Sequence, residues 1–188
     1  MKPSRCVSAP FDAATLASLH AGDMLLISGT VYTARDTAHK RLVEAINSGQ
    51  PLPLELSGQT IYYMGPSPAR PGSIIGACGP TTSSRMDAYT PPLLACGVNA
   101  MIGKGTRSPE VRAAIGKYKA VYLVTYGGAG ALLAGCIRRA EVMAYPELGA
   151  EAVMRLKIEN FPALVADDIY GGDLFEIEIP KYAGQSGG

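Results

Sequence analysis

The sequence predicts an α/β fold built on two sheets, and two observations predict it. Between residues 74 and 140 an apolar run, a turn and a helical pattern recur three times, the signature of a parallel framework. The first part of the chain is strand-rich with short connections, which points to an antiparallel sheet. The 188 residues suit one domain. It is read as residues 1–181, with a frayed Gly/Ser-rich tail over 182–188.

A hydrophobic share of 47% fits a globular chain and argues against disorder. The 17 basic and 16 acidic residues nearly cancel, so there is no nucleic-acid footprint and no reason to expect a membrane surface. The longest apolar run, Ala120 to Tyr126, is too short to span a bilayer. Met1–Arg5, followed by Phe11-Asp12, holds no signal-peptide core, which makes a cytoplasmic location the default expectation. The cysteines are Cys6, Cys78, Cys96 and Cys136. None pairs at Cys-x-x-Cys spacing or stands beside a histidine. Buried thiols are expected for Cys78, Cys96 and Cys136, rather than disulfides or a zinc or iron–sulfur site.

In chain order, Phe11–Leu19 reads as a short helix packing through Leu16 and Leu19. Met24–Thr33 is a strand in which Gly29 permits a bulge or a close backbone approach. Ala34–Ile46 is a helix with Ala38, Leu42, Ala45 and Ile46 on one face and Asp36 early, favourable to its dipole. Arg35 stands at the strand–helix junction, where a side chain can reach a site beyond the sheet edge or simply be solvated. His39, one turn on, reads on its own as a packing histidine. Leu54–Leu56 and Thr60–Met64 are expected as two short strands, and Gly65–Gly72 as a loop. Ser73–Cys78 reads as a short buried strand.

Thr90-Pro91-Pro92 interrupts the next helix and predicts a kink or two short helices. Val98–Gly103 is a strand. Ser108-Pro109-Glu110 is a helix start with cap, first-turn proline and acid. Ala120–Tyr126 is a buried strand, and Gly127–Gly130 turns into a helix over Ala131–Ile137. That glycine run lacks the full phosphate-binding patterns, so close packing or anion contact through the backbone is the better reading. Glu141–Tyr145, Leu156–Glu159 and Ala163–Asp168 are expected strands, with a short helix around Ala150–Arg155.

The stretch with the most chemistry is Gly79–Asp87. Thr81, Thr82, Ser83 and Ser84 line up where a helix is expected to begin, with Arg85 one turn later. Free N–H groups, hydroxyls and a guanidinium suit an anion, most simply a carboxylate. Taken alone, Thr81 reads equally as a helix cap.

Five motifs then occur in order: Thr33-x-Arg35-Asp36-x-Ala38-His39-Lys40-Arg41, Gly79-Pro80-Thr81-Thr82-x-x-Arg85-Met86-Asp87, Gly103-Lys104-Gly105-x-Arg107-Ser108, Tyr145-Pro146-Glu147-Leu148-Gly149-x-Glu151-Ala152 and Phe161-Pro162-Ala163. Over about Gly22 to Phe175 the chain resembles the β subunit, or C-terminal domain, of class I fumarate hydratase. The resemblance implies a swivelling β/β/α fold of three layers, with one parallel and one antiparallel sheet. It implies a hydro-lyase interconverting (S)-malate and fumarate, with a [4Fe-4S] cluster held by a partner α subunit and not by this chain. It also implies pairing of two such heterodimers.

By the same resemblance Arg35, Arg85 and Lys104 grip the dicarboxylate and Thr81 is the catalytic hydroxyl. Asp36, His39 and Thr82 support them from behind. The β subunit of L(+)-tartrate dehydratase is the alternative, and a dicarboxylate-binding module without catalysis is another. The Lys104–Ser108 and Tyr145–Ala152 runs look closer to fumarase. Ser84, where relatives often carry glycine, is expected to narrow the site.

Overall fold

The computed structural model describes residues 4–183. Seven strands are β1 (Arg5–Ala9), β2 (Met24–Thr33), β3 (Thr60–Tyr62), β4 (Ala100–Gly103), β5 (Val121–Val124), β6 (Ile137–Ala144) and β7 (Val153–Asp167). Six α-helices are α1 (Ala13–Ser18), α2 (Asp36–Asn47), α3 (Thr90–Ala95), α4 (Pro109–Tyr118), α5 (Gly130–Ala134) and α6 (Leu174–Ala183). Short 3-10 turns cover Ser83–Met86 and Pro146–Glu151.

The expectation of two sheets is corrected to one. All seven strands form a single mixed sheet in the order β1-β2-β3-β4-β5-β7-β6, and an added β2–β7 pairing closes β2, β3, β4, β5 and β7 into a ring. β1 to β5 run parallel, while β7 runs antiparallel to β2, β5 and β6. A fifteen-residue β7 makes this possible, because its first part pairs with β6 and its last part with β5. It replaces the two strands expected there, and Asn160 (φ 50°) marks where the sequence suggested a break.

Alternation along the strands divides the core in two. Val31, Ala100, Ile102, Val121, Leu123, Leu156 and Ile158 face one buried cluster. Ile61, Met101 and Tyr122 face the other, where they meet Ala38 and Leu42 of α2, Leu93 and Leu94 of α3, and Val111 and Ile115 of α4. That is the period-two pattern of strands with apolar matter on both faces. Gly29 does both things expected of it. It sits at a register shift between β2 and β7, and its φ of +124° and lack of a Cβ admit the Ala9 carbonyl, which a side chain would strike.

Several local readings change. β3 pairs parallel with both neighbours, and Leu54–Leu56 forms no strand, so there is no antiparallel hairpin in the middle of the chain. Ser73–Cys78 is a series of bends with Ile74 exposed, not a buried strand, since the chain there turns back to hand the Ala77 N–H to the Ser67 hydroxyl. The helix expected around Ala150–Arg155 is the 3-10 turn Pro146–Glu151, kinked at Gly149. Of the three expected thiols only Cys78 is fully buried; Cys96 and Cys136 are half-buried. Burial pushes the Cys78 thiol up to about 12. α6 covers the first part of the expected tail, and residues 184–188 lie outside the described residues. Among the described residues no helix is long and apolar enough to cross a membrane.

Candidate active site

Arg35 lies just past the C-terminal end of β2 and Lys104 just past that of β4. The Gly79–Asp87 stretch is stitched between them. Pro80 bridges Met64, which continues β3, and Thr82 bridges Lys104. The Thr81 N–H donates to the Tyr63 carbonyl (2.7 Å) and the Ser83 N–H to the Lys104 carbonyl (2.9 Å). The four sequence-predicted residues Arg35, Thr81, Arg85 and Lys104 therefore gather at one edge, the C-terminal end of parallel strands, where α/β folds place ligands.

The same bonds correct the picture of a helix-start cradle. The N–H groups of Thr81 and Ser83 are spent on strand carbonyls. A single 3-10 turn, Ser83–Met86, then leads towards α3, which opens at Thr90-Pro91. Thr82 occupies the capping position without a side-chain cap bond, and Thr81 lies before it. Thr81 is half-buried, and Ser84 and Thr82 are exposed.

Each cation has a different environment. The Arg35 guanidinium is flanked by Asp36 (3.8 Å) and Glu151 (3.7 Å), beyond hydrogen-bonding distance. Its Nε is buried without a partner among the described residues. Gly65 makes room for it, since a Cβ there would lie 2.9 Å from Arg35 Cδ and 2.5 Å from the Ala150 carbonyl. Arg85 instead holds Asp36 with two bonds, Nε to Oδ1 at 2.8 Å and Nη2 to Oδ2 at 2.9 Å. Lys104 is half-buried, and its backbone N–H donates to the Ser83 hydroxyl (3.1 Å).

Around this edge lies a tight support. Arg35 is the residue before α2 and has no capping side chain, so the Glu151 carboxylate caps the helix by accepting the Thr37 N–H (2.9 Å). His39 is fully buried and edge-on to Tyr63, and its Nδ1 donates to the Arg35 carbonyl (2.9 Å). Burial pulls its pKa down to about 4, so it stays neutral and braces Arg35. Ser83 is sealed in, accepting a bond from the Tyr122 hydroxyl (2.8 Å). Gly103 leaves space for it.

Arg107 is wholly buried. It bonds Asp87 (2.8 Å), the Tyr63 hydroxyl (3.2 Å) and Thr90 (2.6 Å), with its guanidinium over the rings of Tyr63 and Tyr122. Burial opposes its charge, but Tyr63 and Asp87 outweigh that and the pKa rises. The glycine run after β5 packs closely, Gly130 against Gly79 and Cys78.

Sequence reasoning did not assign Gly65, Ser83, Asp87, Arg107 or Glu151 to this support. Arg107 and Glu151 lay inside recognised motifs, which was a usable signal. Gly65 sits 30 residues from Arg35, with nothing local to connect them.

Four of the five motifs thus lie at one sheet edge or in its supports, while Phe161-Pro162-Ala163 pairs with the first half of β2, and the fumarase C-terminus family model matches residues 7–178. The chain belongs to the fumarase C-terminal family. The aerobic class I fumarate hydratase of Salmonella typhimurium is 41% identical over 154 residues, covering 81% of this chain and 27% of that protein. Fumarate hydratase 1, mitochondrial, of Leishmania major is 40% identical over 154 residues, 81% of this chain and 28% of that protein. A putative L(+)-tartrate dehydratase subunit beta of Methanocaldococcus jannaschii is 37% identical over 169 residues, covering 87% of this chain and 86% of that protein. This fumarase C-terminal chain therefore spans little more than a quarter of the fumarate hydratases but most of the tartrate dehydratase subunit.

Proposed function

We propose that this chain is one half of a hydro-lyase site, taking (S)-malate and fumarate as substrate and product and completed by an α-type partner subunit. The observation that carries the reading is Arg35: a partly exposed guanidinium that makes no hydrogen bond among the described residues, at the strand edge that also bears Thr81, Arg85 and Lys104. A cation prepared in this way is a site for a carboxylate.

Dehydration of malate removes a weakly acidic proton from C3 and pushes negative charge onto the adjacent carboxylate. Fixed cations on that carboxylate stabilise the transition state more than the ground state. Thr81, at the same edge, is the hydroxyl proposed to handle the proton, but an unaided threonine is a poor base. The aspartates of its own motifs are committed, Asp36 to Arg85 and Asp87 to Arg107 and the Ser108 N–H. The activating base is accordingly assigned to the partner.

The [4Fe-4S] cluster of the resemblance does not fit this chain. Among the described residues no group of three His, Cys, Asp or Glu could hold a metal, and the burial that raises the Cys78 pKa works against a thiolate ligand. The cluster is assigned to the α subunit, and such heterodimers to pairing with a second copy. The two core compartments support reading residues 1–181 as a swivelling-type unit in which a single mixed sheet replaces the separate parallel and antiparallel sheets of the resemblance. A cytoplasmic location is part of the same proposal.

The near full-length match to a tartrate dehydratase subunit favours a second reading, with tartrate as substrate of the same half-site. Co-expression with the α-type chain under anaerobic conditions, assayed on malate and tartrate, separates the two. In that complex Thr81→Ala should abolish turnover with little change in malate binding. Retained kcat would make the chain a binding module only.

A further inference from the structure

A cavity lies away from this edge, at a notch in the sheet. β1 covers β2 only as far as Gly29, and β3 joins it only at Tyr32. On that edge Thr30 and Val31 have no partner among the described strand pairings. A cavity of about 560 Å³ opens there, with Pro10, Thr30, Tyr32 and Gln59 in its lining. Register brings charge to it from the other side. Thr30, Lys157 and Arg139 stand in one cross-strand row, and Tyr32, Arg155 and Glu141 in the next.

Three cations thus face one carboxylate. Glu141 is shared, accepting from Arg139 and from Arg155 Nε (3.1 Å) and Nη2 (2.5 Å). Bonding by Arg155 and charge from Arg139 hold its pKa low, so it stays ionised. One carboxylate cannot satisfy two guanidinium groups, each with five donors. Lys157 forms no ion pair among the described residues. The lining keeps a surplus of two positive charges with unused donors. No residue of the Arg35–Thr81–Arg85–Lys104 edge lines this cavity.

We propose that this notch is a second anion-binding site, for a small molecule carrying two anionic groups. Arg155 and Lys157 are two residues apart on one strand face, about 7 Å. Lys157 and Arg139 are paired across strands, about 5 Å. Those are backbone spacings, and the long side chains above them can converge on the two anionic groups of a diphosphate or a polycarboxylate. Glu141 acts as an internal competitor that keeps the guanidinium groups oriented when the site is empty.

The test is calorimetric titration of the full chain at low salt with two probes, inorganic pyrophosphate and citrate. Saturable one-to-one binding of either is expected, and the probe that binds identifies the source of the anionic groups. Lys157→Gln and Arg139→Gln should each weaken it about tenfold, the worth of one charge-assisted bond. Glu141→Gln should tighten it, because it frees two guanidinium groups. Lys117→Gln, on α4 and in neither site, should leave it unchanged. Absence of binding overturns the proposal. So does binding lost in Arg35→Gln but kept in the Lys157 and Arg139 variants, which would place the anion at the catalytic edge instead.

Discussion

Asp87→Ala tests whether the buried Arg107 cluster holds the Gly79–Asp87 stretch in place. The substitution removes the carboxylate that faces a guanidinium with no solvent exposure, and it also strips the Ser108 N–H of its acceptor. Breaking a buried pair from one side costs about 3–5 kcal/mol, since the remaining charge stays buried and uncompensated. For a chain of this size that is a fall in melting temperature of about 6–20 °C. Arg107→Met fills similar volume, and the carboxylate it leaves is partly exposed, so its cost is smaller. The double variant should then be more stable than the sum of the two losses by at least about 1 kcal/mol. Urea denaturation of the wild type, both single variants and the double variant measures this, provided the denaturant slope stays constant. Losses that add within about 0.5 kcal/mol would show that the two residues are not coupled and refute the cluster as the anchor of Gly79–Asp87.

Two further outcomes rest on the geometry. Burial, then the neighbouring Asp173, raise the Asp167 carboxyl to about 7 from its ordinary 3.8, so the folded state holds a proton that the unfolded state has lost. Its stabilising effect is present below about pH 4 and disappears as pH rises towards 7, opposite in sign to His39, whose lowered pKa makes stability fall as pH drops from 6.5 towards 4. Asp167→Asn should therefore gain about 2 kcal/mol more than the wild type between pH 5 and pH 7, read by urea denaturation at both; equal gains contradict the assignment. Gly65→Ala puts a Cβ 2.5 Å from the Ala150 carbonyl and 2.9 Å from Arg35 Cδ, so Arg35 must move. In the reconstituted complex kcat/KM should fall on the order of 100-fold, and an unchanged value would remove Arg35 from the site.

The elements that were legible in the sequence are those whose signal is local. β2 and the start of α4 carry their own periodicity and caps, Ser108 accepting from the Val111 N–H as its position implied. The sheet's closure was not legible, because it depends on β7 pairing with β2 through residues more than 120 positions apart. The parallel setting of β3 was hidden for a related reason. A three-residue strand with tight flanking turns reads as part of a hairpin, and only its distant partners in β2 and β4 show otherwise. The site divides in the same way. Arg35, Thr81, Arg85 and Lys104 were marked by resemblance at strand ends, while the Glu151 cap on Thr37 and the space left by Gly65 exist only once the chain is folded.

Three arginines of the family motifs show how the fold sorts cations by use. Arg107 has its donors taken by Asp87, Tyr63 and Thr90 and two aromatic faces against it, so it has little left to offer a ligand. Arg85 gives one edge of its guanidinium to Asp36 and keeps the other. Arg35 is fixed by packing and by the His39 and Glu151 braces on its surroundings, yet carries no hydrogen bond from its buried Nε. An unmet buried donor costs about 1–3 kcal/mol, and a folded chain tolerates that where something else restores it. Under the proposed function an incoming carboxylate is met by the unbonded guanidinium of Arg35 and the free edge of Arg85, and Arg107 is left out. Lysine substitution separates them. Arg35→Lys removes the planar fork that a carboxylate needs and should raise the substrate KM. Arg107→Lys should lower stability instead, because a lysine cannot reproduce the contacts to Asp87, Tyr63 and Thr90 together.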